Sequence, residues 1–455
     1  MASDSPVHLR HGGLRYAWHP IALLSRPEAE YGLARLWERV AGSAGWEGEP
    51  VLSIPAADRN AVLGMFELPP GKLPWVALRD VLPAKVDLGL DTDRLPALCP
   101  AVPGSPRFDR ESSHFPLDLV TMCFLLLTRW EERNLSLPKD ARNNTAEASA
   151  LPSRQGFLHR PVLDEWALVL RAWFRALHPG WRAKPSDFRV LPTHDIDRFY
   201  RYPSARCLPR RVAGTVLRTK SLKQATVTAL EGARSLGHPE ADPGLRLVRE
   251  LAARDEQLGV RGVFFFMTAD RGPHDEGYDL TSTPAQRILE ELRKQGHSVG
   301  WHPGYRAAED RHAFFGEAER FRRVVGEDVA QVRMHFLRWR SHTLDWMQEL
   351  GVASDHSWGL NDLMGFRCGT AIRFALWDGN SQGPSAVMET PLLVQDGAFA
   401  AAWRRDHDEA HRVVARIRAR AKRVGGCFSF LVHNNPHYWE VDRRLVAQSL
   451  YGDNR

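Results

Sequence analysis

A group of ionisable residues stands at 191–197, where the sequence LPTHDID closes a short apolar run. The run at 188–192 predicts a buried strand that ends in His194, Asp195 and Asp197. If the strand stays extended, residues two apart point to the same side, so Asp195 and Asp197 share one face. Adjacent carboxylates shift each other's pKa, and proteins rarely accept that cost unless a cation lies between them or one acts as a base. A capped strand end is the alternative interpretation, because Asp is common in turns.

Four further predicted strands also end in residues that could do chemistry. In (β/α) barrels, catalytic groups project from the carboxyl ends of the strands. A lone histidine is more often structural than a ligand, so the prediction of an active site depends on the whole set. The set is His302 after 298–301, Arg333 and His335 at alternating positions of 332–337, Asp355 and His356 at the end of the strand 351–355, and His433 and Asn434 after 427–432.

The elements that must position these residues alternate between strand and helix from 188 onwards. The apolar segment 261–268 (RGVFFFMT) is typical of a parallel strand that is covered on both faces. Helices are predicted to begin at Asp242-Pro243 and Thr283-Pro284, since a capping residue before proline favours a helix start. A further helix is predicted over 311–325. Repeated β-α units predict an α/β fold whose parallel sheet closes, or nearly closes, into a barrel.

The N-terminal part has a different character. Pro-rich and Gly-rich stretches separate short apolar segments there, helices are predicted over 115–132 and 162–177, and 136–155 is polar and loop-like. It shows no catalytic cluster, and its Trp residues are assigned to the core. We therefore predict a smaller α/β domain over 1–185, followed by the barrel over 186–455.

Composition excludes several classes of protein. At 455 residues the chain is long enough for two domains, and 43% hydrophobic with 25% charged residues is typical of a soluble globular protein. No apolar run is long enough to span a membrane, and residues 1–10 lack the apolar core of a secretory signal. Five scattered cysteines, never in a CxxC pair, favour a reducing compartment and argue against a cysteine zinc site. The expected location is cytoplasmic.

Positive charge is concentrated in one region. The net charge of +6 is mild for this length, and no motif for binding nucleic acid is present. The region 198–230, however, contains several Arg and Lys residues and no acidic residue. Such a run could make peripheral contact with a phosphate, an acidic glycan or a membrane surface. A solvated basic insertion between two strands is the simpler interpretation.

Five motifs in order give a more specific indication. THDID, GHSVGWHP, RMHFLRW, GFRCGT and LVHNN resemble the polysaccharide deacetylase superfamily. The resemblance is closest to a bacterial branch with an additional N-terminal domain, because FPLDLVTMCFLLLTRWEE and GFLHRPVLDEWALVL resemble that uncharacterised companion domain.

The resemblance implies a distorted (β/α) barrel that hydrolyses the N-acetyl group of an amino sugar with one divalent metal, expected to be zinc. The substrate is then a carbohydrate, and a lipid-linked or nucleotide-linked precursor would suit a cytoplasmic enzyme. The implied roles are Asp195 as general base, Asp197 and His302 as metal ligands, Arg333 as the residue that orients the base, and His433 as general acid. We also predict that the substrate is bound by Trp301, Tyr305, Arg367 and Asn434.

The sequence departs from the superfamily pattern at one position. The metal motif usually has a second histidine four residues after the first, and here that residue is Arg306. Catalytic zinc takes three protein ligands and a water, so a third ligand is needed. We predict His335, which shares a face with Arg333 on an extended strand. His194 is the alternative third ligand. It is less favoured, because the same geometry points it away from Asp195 and Asp197 unless the strand breaks at Thr193.

Two other functions remain open from the sequence. If the metal is weakly held or lost, the barrel would be a non-catalytic protein that binds or assembles glycans. Alternatively, the same residues could hydrolyse a different non-peptide amide.

Overall fold

The computed structural model describes residues 6–83, 86–99, 113–434 and 450. Its strands are β1 (Val7–His11), β2 (Leu14–Trp18), β3 (Leu52–Pro55), β4 (Trp75–Ala77), β5 (Arg94–Pro96), β6 (Arg189–Ile196), β7 (Val263–Met267), β8 (Ser298–His302), β9 (Gln331–Val332), β10 (Ser354–Asp355), β11 (Phe374–Asp378), β12 (Gly383–Glu389), β13 (Val394–Gln395) and β14 (Cys427–Leu431). Its helices are α1 (Arg26–Ala41), α2 (Arg59–Glu67), α3 (Leu78–Val81), α4 (Leu119–Leu127), α5 (Trp130–Asn134), α6 (Leu151–Arg154), α7 (Val162–Leu177), α8 (Cys207–Thr219), α9 (Leu222–Gly237), α10 (Pro243–Gln257), α11 (Thr283–Lys294), α12 (Arg311–Val325), α13 (Thr343–Glu349), α14 (Asp396–Arg405) and α15 (His407–Arg423). Short 3-10 turns cover Glu147–Ser149, Pro239–Ala241, Arg306–Ala308 and His335–Leu337.

The chain divides into two compact units. Of the described residues, the first unit takes those up to 190, 358–394 and 401–429, and the second takes 191–357, 395–400 and those from 430 onwards. The sequence placed one boundary at 185/186 and assigned everything after it to the barrel. In the structure, two later segments group with the N-terminal part instead.

A buried carboxylate explains why residues after 357 belong to the first unit. Asp164 of α7 accepts hydrogen bonds from Thr370 Oγ1 and Ala371 N, both at 2.7 Å. Arg39 Nε lies 3.2 Å from Asp164 Oδ1, and both side chains are almost fully buried. A buried charge must be paired and hydrogen-bonded, so Asp164 fixes the distant segment against α7.

Helices α1, α4 and α7 and a three-stranded sheet form much of the first unit. β2 pairs antiparallel with β1 and parallel with β3. All nine residues of α4 are buried. Trp166 and Trp173 are fully buried, and their Nε1 atoms donate to the carbonyls of Pro96 and Val81. These two Trp residues therefore belong to the core, as predicted.

Parallel strands form the centre of the second unit. Their order is β10-β9-β8-β7-β6, with the end of β14 beside β6. β6 pairs in parallel with β7, β7 with β8, β8 with β9 and β9 with β10. The carboxyl ends of parallel strands meet at one edge, so the residues that follow β6, β8, β9 and β14 come together there. The structure is thus α/β with a sheet rich in parallel strands. Among the described residues of this unit, no pairing closes the row into a ring.

Several predicted elements are confirmed and two are corrected. α7 and α12 have the predicted bounds, and Asp242 caps α10 by accepting from Gly244 N. The helix predicted over 115–132 is broken, because Arg129 adopts φ 50° between α4 and α5. The strand predicted over 332–337 ends at Val332 and gives way to a 3-10 turn.

Two further observations concern the whole described chain. No helix in the described ranges is long and apolar enough to cross a membrane. All five cysteines are free thiols, and three of them, Cys99, Cys123 and Cys368, are buried.

Replacing Asp164 by Ala should strongly destabilise the first unit, because Arg39 would keep a buried charge without its partner. We expect the free energy of unfolding to fall by about 3–5 kcal/mol, measured by urea unfolding with tryptophan fluorescence. Glu30→Ala is the matched control on α1, since Glu30 pairs with Arg26 on the surface and such pairs contribute less than about 1 kcal/mol. Equal effects of the two substitutions would contradict the role given to Asp164.

Candidate metal centre

Three donor groups converge at the carboxyl edge of the sheet. One ligand atom from each of Asp197, His302 and His335 lies within 4.8 Å of the others. His302 Nε2 is 3.3 Å from Asp197 Oδ1, and His335 Nε2 is 3.9 Å from the same oxygen. These side chains come from the ends of β6 and β8 and from the 3-10 turn after β9, so three separate segments supply the cluster.

Both histidines are oriented by a bond to the other ring nitrogen. His302 Nδ1 lies 2.5 Å from the carbonyl oxygen of Arg333, which can only accept, so Nδ1 carries a proton and Nε2 is the nitrogen that can offer a lone pair to a metal. His335 Nδ1 lies 2.8 Å from Asp275 Oδ1. Carbonyl and carboxylate partners of this kind fix the tautomer of metal-binding histidines. Both Nε2 atoms are thereby directed to Asp197.

The buried atoms of the cluster lack hydrogen-bond partners. Asp197 Oδ1 and His302 Nε2 have none of suitable geometry within the described chain, although buried polar atoms are normally satisfied. One carboxylate oxygen and two imidazole nitrogens, with room for a water, match the donor set of catalytic zinc. The residues present therefore fit a divalent metal.

The electrostatics of the cluster also favour a cation. Burial raises the pKa of Asp197, but the neighbouring imidazoles of His302, His335 and His433 outweigh it and hold that pKa well below its usual value. Burial lowers the pKa of His302, whereas Asp195 and Asp197 raise it, with a net upward shift. The two carboxylates thus stabilise positive charge here, whether as a proton on His302 or as a metal ion.

Asp195 also lies near His302 Nε2 and stands beside an arginine. Its Oδ2 is 3.8 Å from His302 Nε2, and its Oδ1 is 3.9 Å from Arg333 Nη1. Arg333 is fully buried, donates to Thr193 Oγ1 at 3.1 Å and lies over the ring of Phe265. The guanidinium is therefore fixed next to Asp195.

His433 approaches the cluster from the segment after β14. Its Nε2 is 3.9 Å from Asp197 Oδ2, and its Nδ1 is 2.6 Å from Asp396 Oδ1. Asp396 Oδ2 also accepts from the backbone N of His433 at 2.8 Å. Burial lowers the pKa of His433, but Asp396 and the carboxylates of the cluster raise it to about 10. His433 is consequently a protonated group close to the metal ligands.

A cavity of about 330 Å³ opens beside the metal ligands. Asp197 and His335 line it together with His274, Asp275 and Phe336. Tyr305, one of the four predicted substrate contacts, packs against the His274 ring with the ring centres 4.0 Å apart. The guanidinium of Arg338 lies over the Tyr305 ring, 3.6 Å from its centre. Aromatic rings therefore accompany the acidic and imidazole groups at the entrance.

The other three predicted substrate contacts are engaged elsewhere. Trp301 is fully buried, packs on Phe314 at 4.9 Å and donates to Thr268 Oγ1. Arg367 lies in the first unit, where it pairs with Glu132 at 2.7 Å. These two assignments are corrected, because core packing and a buried ion pair already occupy both side chains.

Asn434 has a positioning role in place of the predicted contact with substrate. Its side-chain Oδ1 accepts from Arg198 N at 3.2 Å, and its Nδ2 donates to Arg198 O at 2.8 Å. The residue is almost fully buried. Since Arg198 directly follows Asp197, Asn434 holds the segment that carries this ligand.

Two residues discussed as ligands lie outside the cluster. Arg306 is 78% exposed in its side chain and pairs with Asp310, so the position of the usual second histidine faces away from the site. His194 points to the opposite side of β6, with Nε2 3.1 Å from Asp255 Oδ2 and Nδ1 3.1 Å from Val432 O. Alternation along β6 accounts for this direction.

His335 reaches the cluster by a different route from the one predicted. The strand ends before it, and the following Phe336 and Leu337 have φ of 53° and 55°. Positive φ is strained for residues other than glycine and is found mainly where surrounding structure enforces it. The turn, and not strand alternation, brings His335 next to Asp197.

Asp355 and His356, also among the predicted set, make local bonds at the end of β10. Asp355 Oδ1 accepts from Ser357 N at 3.0 Å, and His356 Nε2 lies 3.2 Å from Gln331 Oε1. Sequence reasoning missed Asp275 and Asp396, which orient His335 and His433. Asp275 lies in a glycine-containing loop and Asp396 is the first residue of α14, positions that many aspartates with no such role also occupy.

Part of the chain matches a family of unknown function, and two solved structures are similar to it at low identity. The family of unknown function DUF7033 matches residues 75–179, and no curated protein matches the chain. One similar solved structure is described as a "putative polysaccharide deacetylase from Mycobacterium smegmatis", with 16% identity, 60% of this chain and 87% of that chain covered, and a TM-score of 0.35. Another is a "putative polysaccharide deacetylase involved in o-antigen biosynthesis" from Bordetella bronchiseptica. It is 13% identical, the alignment covers 58% of this chain and 81% of that chain, and the TM-score is 0.30. At such scores neither alignment assigns an activity, which has to be inferred from the residues of the site.

Removing His335 should abolish stable zinc binding, because two protein ligands would remain. We expect His335→Ala to bind far less than one zinc per chain by elemental analysis, and Asp275→Asn to weaken zinc binding by roughly 10–100-fold. Arg306→Ala is the control and should retain the wild-type zinc content. Unchanged zinc content in His335→Ala would remove His335 from the ligand set.

Proposed function

We propose that this protein is a metal-dependent hydrolase that removes the N-acetyl group from an amino sugar of a glycan or glycan precursor. The observation that carries the proposal is the arrangement of two further groups around the metal centre. An arginine-paired carboxylate, Asp195, and a protonated histidine, His433, lie beside Asp197. The resemblance of the five ordered motifs to polysaccharide deacetylases supports the same reaction class.

Amide hydrolysis needs an activated water, a stabilised oxyanion and a proton for the leaving amine. A divalent metal, when bound by Asp197, His302 and His335, would polarise the carbonyl and lower the pKa of a water. Asp195 is suited to accept the proton of the attacking water, since its carboxylate lies next to the metal ligand His302 and beside Arg333. Asn434 hydrogen-bonds to the backbone of Arg198 and of Asp195, the two residues that lie on either side of the segment containing Asp197.

His433 is suited to supply the proton for the leaving amine. An amide nitrogen is a very poor leaving group until it is protonated, so a general acid is needed. The carboxylate of Asp396 keeps a proton on His433 and fixes its Nδ1, so that Nε2 is the nitrogen that faces the site, 3.9 Å from Asp197 Oδ2. Asp195 and His433 thus have opposite roles, set by a cation beside the first and an anion beside the second.

Replacing Asp195 by Asn should remove the base without removing a metal ligand. We expect acetate release from short N-acetylglucosamine oligomers by the zinc-loaded protein to fall by roughly 10²–10⁴-fold in kcat, with unchanged zinc content. Asp187→Asn, at an exposed position nearby in the chain, is the matched control. Zinc-loaded wild-type protein that binds such oligomers but releases no acetate would favour the glycan-binding alternative.

Replacing Asp396 by Asn should change the pH dependence of the reaction. Asp396 raises the pKa of His433, and His433 acts as an acid only while protonated. Without Asp396 that pKa falls, so the alkaline limb of the kcat profile should move to lower pH by roughly 1–3 units. An alkaline limb that does not move would assign the general acid to another group.

A further inference from the structure

The segment after Asp197 forms a helical hairpin with an unusual surface. α8 and α9 pack against each other and are joined by a turn at Lys220 and Ser221. Their exposed large apolar side chains are Leu217 (81% exposed), Leu222 (78%), Val227 (56%) and Leu230 (67%). In the described chain only three other large apolar residues, Val7, Ile21 and Val86, are exposed. Exposed apolar surface is therefore concentrated within 217–230.

The packing of this hairpin reverses the usual distribution of polarity. The buried residues of α9 are small or polar: Ala225, Thr228, Gly232 and Ser235. Thr228 Oγ1 lies 3.2 Å from Thr215 Oγ1 of α8, and a Cβ on Gly232 would meet Leu208 Cδ1 at 2.3 Å. The two helices thus approach closely through small residues.

The large apolar residues of α9 occupy the opposite face. At 3.6 residues per turn, Leu222, Val227 and Leu230 fall within an arc of about 140° that does not overlap the buried face. A water-exposed helix normally shows the reverse pattern. An exposed apolar patch of this kind marks a surface that binds a partner.

The charges around the patch define that partner. Residues 198–230 contain eight basic residues and no acidic one. Lys220, Lys223, Arg206 and Arg210 are exposed, and no carboxylate within the described residues forms an ion pair with them. A second copy of the same basic surface would be repelled. The complementary surface is both apolar and anionic.

We propose that the α8–α9 hairpin docks on the surface of an anionic lipid bilayer. Leu217, Leu222 and Leu230 would enter the boundary between headgroups and acyl chains, while Lys220 and Lys223 contact lipid phosphates. Interfacial helices bind through this combination of apolar area and basic charge. The proposal does not depend on the metal centre, although the chain runs directly from Asp197 into the hairpin.

Co-sedimentation of the full chain with vesicles tests the proposal. Wild-type protein is expected to bind vesicles of equal phosphatidylglycerol and phosphatidylcholine, to bind phosphatidylcholine alone more weakly, and to dissociate at about 1 M salt, where the Debye length is ~3 Å. The double variants Lys220→Glu/Lys223→Glu and Leu222→Ser/Leu230→Ser should each weaken binding by roughly tenfold or more.

Matched controls separate a docking surface from general effects of charge and hydrophobicity. Lys72→Glu and Ile21→Ser change an exposed lysine and an exposed isoleucine far along the chain, and both should bind vesicles like the wild type. Wild-type protein that leaves anionic vesicles unbound would overturn the proposal. So would a dimer, seen by light scattering, that Leu222→Ser/Leu230→Ser dissociates without any loss of vesicle binding, since the hairpin would then be a contact between copies.

Discussion

The structure of the second unit depends on two buried carboxylates at the end of one strand. Asp195 and Asp197 lie two residues apart with little access to water, so their charges must be balanced by nearby positive groups. Arg333, His302, His335 and His433 surround them at 3.3 to 3.9 Å. These four side chains come from three segments of the chain, at 302, 333–335 and 433, so satisfying the two carboxylates determines how these segments are arranged.

A second layer of groups orients the three imidazole rings around Asp197. Asp275 and the carbonyl of Arg333 orient the two imidazoles that face Asp197, whereas Asp396 binds the third imidazole through Nδ1. His335 and His433 both have a carboxylate at Nδ1, so position distinguishes the proposed roles. Nε2 of His302 and of His335 both face Asp197 Oδ1, whereas Nε2 of His433 lies 3.9 Å from Asp197 Oδ2.

The hairpin α8–α9 differs from the cluster, which buries charged side chains, because it exposes apolar ones. The residues on its buried face are small or polar, and its large apolar residues are exposed. The hairpin therefore gains little stability in water from the burial of apolar surface. An insertion of this kind is tolerated at the carboxyl edge of a sheet because loops there do not build the core. The same edge therefore carries both the buried charges and the exposed apolar surface.

The sequence determined which residues meet at the strand ends. Period-two alternation placed Asp195 and Asp197 together and turned His194 away, because strand geometry is local. Tertiary structure alone decided the rest. His335 joins the cluster through a turn with positive φ, and Asp275 and Asp396 become partners only when distant loops fold against it. Likewise, the pairing of Asp164 with residues 370 and 371 links segments that are about 200 positions apart. Such contacts depend on where the chain returns in space, which local patterns of polarity and periodicity do not encode.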